Sequence, residues 1–223
     1  TIIPGVFEPE SVHPIRLADA LEEIRAGKYA TLLEEIRAIQ EDGKRQNAKK
    51  RLPAYAFSGQ FSYLHQECLQ RHTGVLVLDY DHVPPDRVKE ARAKLRAIPY
   101  TLALFTSTSG DGIKVLVRVA PPRNAREHGH TFEELAKLYG PEHVKVDTSG
   151  SDPARRCYVT YDPDIYVNMG AEVFTPPPMP ERSAPTAAPS NAAPALTDAD
   201  FDAIAERAAK RFQARDGPLG SWD

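Results

Sequence analysis

The sequence predicts an α/β or α+β fold, in which buried strands form a sheet that amphipathic helices cover. Short apolar runs alternate along the chain with segments of helical periodicity. Several helical segments carry a capping residue at the start or a glycine at the end. The 223 residues are 41% hydrophobic and 26% charged, which is typical of a globular protein with one domain, or one domain and an appendage.

The N-terminal third predicts a short strand followed by helices. The glycine at position 27 would end the first helix, and Thr31 with Glu34 forms a capping box for the second. The predicted elements are, in order, a strand over 2–7, helices over Leu17–Ala26 and 31–43, an extended segment over 54–57 and a helix over 62–72.

The last of these helices raises the question of a zinc site. Its spacing would place His65, Cys68 and His72 on one face. A structural zinc site normally has four ligands, and no nearby residue supplies the fourth. Packing of Cys68 in the core, with the two histidines at the surface, is therefore the preferred interpretation.

A central buried strand is predicted where a continuous apolar run over residues 75–78 follows Gly74. The run ends in Asp79 and Asp81, whose side chains point the same way because strand side chains alternate. Two neighbouring carboxylates repel each other, and a divalent cation such as Mg²⁺ or Mn²⁺ would remove the repulsion. The alternative is a strand end followed by an aspartate-rich turn.

The next segment predicts a helix over 85–98 and two strands, over 100–105 and 115–120, joined by a polar turn. Backbone N–H groups in such a turn can bind anionic oxygens, and a lysine follows it. A tight hairpin would have a similar sequence. The candidate residues of the turn are Ser107, Ser109, Gly110, Gly112 and Lys114.

A third aspartate follows further along the chain. Thr131 and Glu134 predict the start of a helix over 131–139, and a strand over 144–146 ends in Asp147. Arg155 precedes a last strand over 157–161. Three carboxylates at strand ends can hold two divalent ions, and a lysine with an arginine can hold a triphosphate. This combination predicts nucleotidyl transfer, although a metal-dependent nuclease needs the same groups.

The composition also limits which cellular location and which binding partners can be expected. No apolar run approaches the roughly 18 residues that span a bilayer, and the two cysteines have no paired spacing, so we expect a cytoplasmic protein without a membrane segment. The net charge of −3 does not favour indiscriminate nucleic-acid binding. The candidate for a local nucleic-acid surface is the basic cluster with Lys49, Lys50 and Arg51, which could equally be a solvated face.

The C-terminal segment differs in composition from the rest. Proline and alanine dominate residues 175–196, which indicates a linker, and residues 197–223 have the apolar periodicity of a helix. We therefore expect a catalytic domain over residues 1–174 and a terminal helix that begins a further module.

Four blocks of the sequence resemble one known family. They are K-R-L-P-A-Y-A-F-S-G-Q-F, T-G-V-L-V-L-D-Y-D-H, T-S-G-D-G-I-K-V-L-V and V-D-T-S-G-S-D-P-A-R-R-C-Y-V-T-Y-D-P. Over residues 15–175 the chain resembles the VirE N-terminal, or BT4734-like, branch of the archaeo-eukaryotic primases, which includes the CRISPR-associated primase-polymerases. The resemblance implies an α+β fold with an RRM-like catalytic sheet, flanking helices and a smaller N-terminal α/β unit.

The resemblance also implies roles for the candidate residues. Asp79, Asp81 and Asp147 would bind two Mg²⁺ or Mn²⁺ ions, and the turn residues Ser107 to Lys114 with Arg155 would bind the (d)NTP substrate. Many primases have histidine at the position of Lys114. The implied partners are a single-stranded DNA template, a primer and nucleotides, with a helicase or helical priming module beyond the linker. We expect a monomer.

Two other functions stay open. The fold could have lost synthesis and serve as a nucleic-acid-binding module of a mobile-element replication protein, although the three aspartates argue against this. A metal-dependent nuclease is the other alternative.

Overall fold

The structure has the predicted α+β fold, with helices packed against antiparallel sheets. It is a computed structural model that describes residues 1–3, 11–140 and 146–179. The strands are β1 (Ile2–Ile3), β2 (Ala54–Tyr55), β3 (Gly59–Phe61), β4 (Leu69–His72), β5 (Val75–Tyr80), β6 (Thr101–Thr106), β7 (Ile113–Arg118), β8 (Cys157–Tyr158) and β9 (Tyr166–Val167). The helices are α1 (Leu17–Ala26), α2 (Ala30–Ala38), α3 (Asp42–Lys49), α4 (Val88–Arg96) and α5 (Ala125–Tyr139), with short 3₁₀ helices at Gln66–Cys68 and Thr148–Ser151.

The central sheet has the order β5-β7-β6-β9, and all of its pairs are antiparallel. Every residue of β5 is buried, which confirms the predicted buried strand. Such continuous apolar runs are typical of parallel strands, but here they occur because other elements cover both faces of an antiparallel sheet. The β-α-β-β-α order of β5 to α5 agrees with the predicted RRM-like arrangement.

The two faces of the sheet pack against different elements. Leu76 and Leu78 of β5 share a core with residues of α4 and α5. The alternate residues Val75 and Val77 share a core with α1, α2 and β2. Because Asp79 continues the second set, its side chain lies on the face that the N-terminal elements cover.

The N-terminal elements form a smaller unit of helices and a three-stranded sheet with the order β1-β2-β8. Helix α1 has its predicted bounds and ends at Gly27, whose φ of 72° suits glycine. The predicted capping box of the second helix is wrong, because α2 begins at Ala30 without a side-chain cap. Helix α3 was not predicted, since its eight residues include one alanine and no other apolar residue.

The helix predicted over residues 62–72 is wrong. These residues form a 3₁₀ helix and then β4, which pairs with β3 in an antiparallel hairpin. The side chain of His65 accepts a hydrogen bond from the Glu67 N–H, while His72 is buried on β4. Pairing with β3 has overridden the local helical pattern, and the three residues considered as zinc ligands do not share a helix face. The preferred interpretation is also wrong in part, because His72 is buried and Cys68 is only partly buried.

Helix α5 begins six residues before the predicted start. Asn124 caps it by accepting a hydrogen bond from the Glu127 N–H, and the Glu127 carboxylate accepts one from the Arg123 N–H. Thr131 instead donates to the Glu127 carbonyl within the helix. Asn124 therefore caps this helix in place of the predicted Thr131, and Glu127 binds the N–H of the residue before the cap, which differs from a capping box.

Several predictions lie outside the described residues. They concern residues 4–7 of the first strand, most of the strand over 144–146, the linker from residue 180 and the terminal helix. The described residues belong to one compact unit, Thr1–Met179. None of the helices in this part of the chain combines the length and apolar character that crossing a membrane requires.

Candidate active site

Three aspartates meet at one end of the central sheet. Asp79 lies on β5, Asp81 follows this strand directly, and Asp147 precedes the second 3₁₀ helix. One carboxylate oxygen of each lies within 4.8 Å of the others. The Asp147 N–H donates to the Asp79 carbonyl over 2.9 Å, so the two backbones are direct neighbours. Among the described residues, these three form the one group of acidic, histidine or cysteine side chains arranged to hold a metal ion.

Local hydrogen bonds hold the Asp147 carboxylate in place. It accepts a bond from the Ser149 N–H over 3.1 Å and another from the Ser149 hydroxyl. Burial alone would raise the pKa of Asp147, but these bonds lower it below its ordinary value. Gly150 allows the 3₁₀ helix to lie against β5, because a Cβ there would come within 2.7 Å of the Val77 carbonyl oxygen.

Asp79 forms a buried ion pair with Lys114. The two residues lie opposite each other in the β5–β7 register, and the lysine ammonium donates to Oδ2 of the aspartate. Burial acts to lower the pKa of Lys114, but the nearby carboxylates hold it above its ordinary value. Oδ1 of Asp79 is buried and has no hydrogen-bond partner among the described residues. This oxygen is therefore free to coordinate a cation.

Asp81 has a different environment, since it is exposed at the edge of the site. Partial burial and the charges of Asp79 and Asp147 raise its pKa above the ordinary value of 3.8. A cation bound between the three carboxylates would remove this repulsion.

The turn between β6 and β7 uses many of its own N–H groups. The Ser107 N–H donates to the Gly112 carbonyl over 2.8 Å, the Gly110 N–H to the Ser107 carbonyl over 3.0 Å, and the Gly112 N–H to the Ser107 hydroxyl over 3.0 Å. A Cβ on Gly112 would lie 2.6 Å from the Tyr80 carbonyl oxygen. The two glycines therefore shape the turn, whereas Ser107 and Ser109 face the cavity beside it.

Hydrogen bonds from Arg37 of α2 connect this turn to the N-terminal helices. Its guanidinium donates to the carbonyls of Thr108 and Ser107 over 3.2 and 3.3 Å, and to the Thr160 hydroxyl and Tyr161 carbonyl over 3.3 and 3.4 Å. This role could not be predicted from the sequence, because one arginine on an amphipathic helix is ordinary. The contact exists only because α2 packs beside the turn.

A cavity of about 320 Å³ extends from Asp79 and Asp81 to the turn, and Asp147 is not among the residues that line it. Its volume is at the lower end of the range for small-molecule sites. The predicted residues that line it are Asp79, Asp81, Ser107, Ser109, Lys114, Arg155 and Lys49. The lining residues that were not predicted are Gln46, Thr108, Asp152, Ala154, Arg156 and Tyr158.

The structure separates the three residues of the predicted nucleic-acid surface. Lys49 is buried, lines the cavity and bonds the Ser109 hydroxyl. Lys50 and Arg51 are exposed. Lys49 therefore belongs to the same cavity as the aspartates.

A pair of buried histidines supports the segment that carries Asp147. The Gly74 N–H donates to Nδ1 of His72, and Nε2 of His72 lies 3.0 Å from Nδ1 of His128. Nε2 of His128 lies 3.0 Å from the Gly150 carbonyl oxygen. The Gly74 bond assigns the Nε2–H tautomer to His72, and the same direction then follows for His128. Burial lowers the pKa of both rings, which keeps them neutral.

The model of the BT4734-like, N-terminal domain family matches residues 47–167. The match covers just over half of the chain. The chain belongs to this family. It is a family of the VirE N-terminal branch of primase-polymerases. Comparisons with the curated proteins and with the solved structures give no significant match.

The matched range includes the three aspartates, the turn and Lys49. Arg37 and Gln46 precede it, although both contact the turn or the cavity. The candidate site of this BT4734-like domain is therefore completed by residues outside the family match.

Proposed function

We propose that this BT4734-like domain is a template-dependent primase-polymerase, which transfers nucleotides from (d)NTPs onto a 3′-hydroxyl on single-stranded DNA. The observation that carries the proposal is the cluster of three aspartates, two of which, Asp79 and Asp81, line a cavity whose lining also includes four cations. This arrangement suits a substrate with a polyphosphate chain that bridges a metal and basic side chains.

The aspartates fit a divalent metal such as Mg²⁺ or Mn²⁺, which prefers oxygen ligands. Asp79, Asp81 and Asp147 would hold it, and Oδ1 of Asp79 supports this because it is buried without a partner among the described residues. When bound, two such ions would neutralise phosphate charge and lower the pKa of an attacking hydroxyl.

The other residues would position the substrate. Ser107 and Ser109 line the cavity, and their hydroxyls can donate to phosphate oxygens, whereas the Thr108 hydroxyl donates to the carbonyls of Tyr158 and Val159. Arg37 holds the backbone that carries them, which limits their movement. Phosphoryl transfer depends mainly on positioning and charge stabilisation, so a rigid turn beside the carboxylates suits it.

The finer part of the proposal rests on the resemblance of the sequence blocks to CRISPR-associated primase-polymerases. We include synthesis of new primers in it, together with a single-stranded DNA template as the partner. Exposed Lys50 and Arg51, next to the cavity residue Lys49, are the proposed contacts with the template backbone.

A primer-synthesis assay tests the proposal. The purified chain is incubated with single-stranded DNA, labelled NTPs or dNTPs and either Mg²⁺ or Mn²⁺, with and without a supplied primer. New chains with a 5′-triphosphate identify a primase, and growth of supplied primers alone identifies a polymerase. Shortened DNA without synthesis would instead identify a nuclease, and DNA binding without any product would identify a non-catalytic module.

Asp81→Asn is the most informative variant for this assay. Removing one of three crowded charges should relieve repulsion and leave folding intact while it abolishes synthesis. The matched control is Asp86→Asn, which changes an exposed aspartate five residues away by the same chemistry. Equal activity of both variants would contradict the metal assignment.

A further inference from the structure

The two cations predicted to bind the triphosphate are already paired with carboxylates of the site. The Lys114 ammonium bonds Asp79, and both side chains are about one-tenth exposed. A guanidinium nitrogen of Arg155 lies 3.4 Å from Oδ2 of Asp147. These two cations therefore neutralise two of the three carboxylates, and moving them to a phosphate would break those pairs.

Two other cations line the same cavity without such a partner. Lys49 is 9% exposed, and its ammonium contacts a neutral group, the Ser109 hydroxyl. Nε of Arg156 is buried and has no hydrogen-bond partner in the described part of the chain. Within that part, neither residue has a carboxylate oxygen within 4 Å of its charged nitrogens.

Such an arrangement costs stability. A buried charge without a counter-charge is unfavourable, and a buried donor without an acceptor adds a further penalty. Burial also lowers the pKa of Lys49, although the charges of Asp111 and Asp81 act against this shift. An anion in the cavity would supply a counter-charge for Lys49 and an acceptor for Arg156.

The positions of the two residues indicate which anion fits. Lys49 lies at the end of α3 against the hydroxyl-rich turn, and Arg156 immediately precedes β8. Gln46 lies one helical turn before Lys49 and lines the same cavity. The cavity thus offers ammonium, guanidinium, amide and hydroxyl donors, which together suit a chain of phosphate groups.

We infer that Lys49 and Arg156 bind the polyphosphate of the incoming nucleotide, while Lys114 and Arg155 serve as counter-charges of the carboxylates. The inference rests on the proposed function, because it assigns the substrate contacts of that same site. It moves Lys49 from the nucleic-acid surface to the nucleotide site.

Calorimetric titration with two probes tests the inference. The first is sodium tripolyphosphate in EDTA, which reports contacts with phosphate alone. The second is a non-hydrolysable deoxynucleoside triphosphate analogue with Mn²⁺. Lys49→Met and Arg156→Met should each weaken binding of both probes roughly 10- to 100-fold, the loss expected for one charge-assisted hydrogen bond. Lys49→Arg and Arg156→Lys should retain most of the affinity.

The controls match the charge changes. Lys89→Met and Arg71→Met remove one exposed cation each, and both should leave the affinities unchanged. Lys114→Met should weaken tripolyphosphate binding in EDTA less than Lys49→Met does, because Lys114 is paired with Asp79. An equal loss in Lys114→Met and Lys49→Met would overturn the division of roles. Thermal unfolding of each variant checks that it is folded.

The outcomes separate this inference from the proposed function. If the wild-type chain binds the nucleotide and both methionine variants bind it equally well, the inference is overturned and the proposed function stands. Weakened nucleotide binding with unchanged tripolyphosphate binding would mean contacts with base or sugar, which also overturns it. If the wild-type chain binds neither probe, both proposals fall.

Discussion

Replacing Lys114 by methionine should destabilise the domain, because it leaves the Asp79 carboxylate buried without a donor. The side chains of the pair are 10% and 11% exposed, and Oδ1 of the aspartate already lacks a partner among the described residues. Breaking a buried ion pair by removing one partner costs about 3–5 kcal/mol. For a domain of this size each kcal/mol lowers Tm by about 2–4 °C, so we expect a decrease of roughly 6–20 °C.

Thermal unfolding followed by circular dichroism in EDTA measures this change. The matched variants are Asp79→Asn and the double variant Asp79→Asn with Lys114→Met. In the double variant alone, no unpaired charge of this ion pair is left buried. The double variant should be more stable than the sum of the two single changes predicts. Wild-type stability of Lys114→Met, or strictly additive losses, would refute the argument from the ion pair.

Added Mn²⁺ gives a second, independent readout. A bound ion can neutralise Asp79 in place of the lysine, so Mn²⁺ should raise the Tm of Lys114→Met more than that of the wild-type chain. An equal shift in both proteins would show that the ion does not take over the role of the lysine.

Three further predictions concern the turn, the histidine pair and the C-terminal boundary. Gly112→Ala should lower the free energy of unfolding by about 1–3 kcal/mol, because the added methyl group would lie 2.6 Å from the Tyr80 carbonyl oxygen. The control Gly43→Ala, whose methyl group would have no neighbour within 4 Å, should not lower it. Equal stabilities of the two variants in urea would contradict the close approach at Gly112. Burial and, to a lesser extent, the charge of His128 lower the pKa of His72 to about 4, so the unfolded state binds a proton at higher pH than the folded state does. The free energy of unfolding should therefore fall by up to about 3 kcal/mol as the pH drops from about 6.5 towards 4. Urea unfolding between pH 7 and 5 should show a smaller loss of stability in His72→Gln than in the wild-type chain, and an equal loss in both would be inconsistent with this cause. A chain truncated after Phe174 should stay folded and lose about 1 kcal/mol through the His130–Pro177 hydrogen bond, whereas failure to fold would place an essential contact beyond the cut.

The sequence predicted the elements whose signals are local. The apolar run of β5 identified a strand buried on both faces, and the glycine after α1 identified the end of that helix. Asp79 and Asp81 could be placed at the end of β5 from the same run, whereas most of the strand predicted before Asp147 lies outside the described residues. Their roles as metal ligands stay predictions.

The contacts that depend on packing could not be predicted. The pairing of Asp79 with Lys114 requires the register of β5 and β7, and a shift of one residue would place the lysine on the other face. The burial of Lys49 depends on how α3 packs, since its local sequence is typical of a solvated helix. The helical pattern over residues 62–72 was outweighed by pairing with β3.

The four hydrogen bonds of Arg37 have a practical consequence for anyone who expresses this domain. A fragment cut to the region of family similarity would begin after α2 and lose this arginine. Three backbone carbonyls and one hydroxyl, which belong to two loops far apart in sequence, would then lose a shared donor. These hydrogen bonds therefore require that a fragment of this domain begin no later than α2.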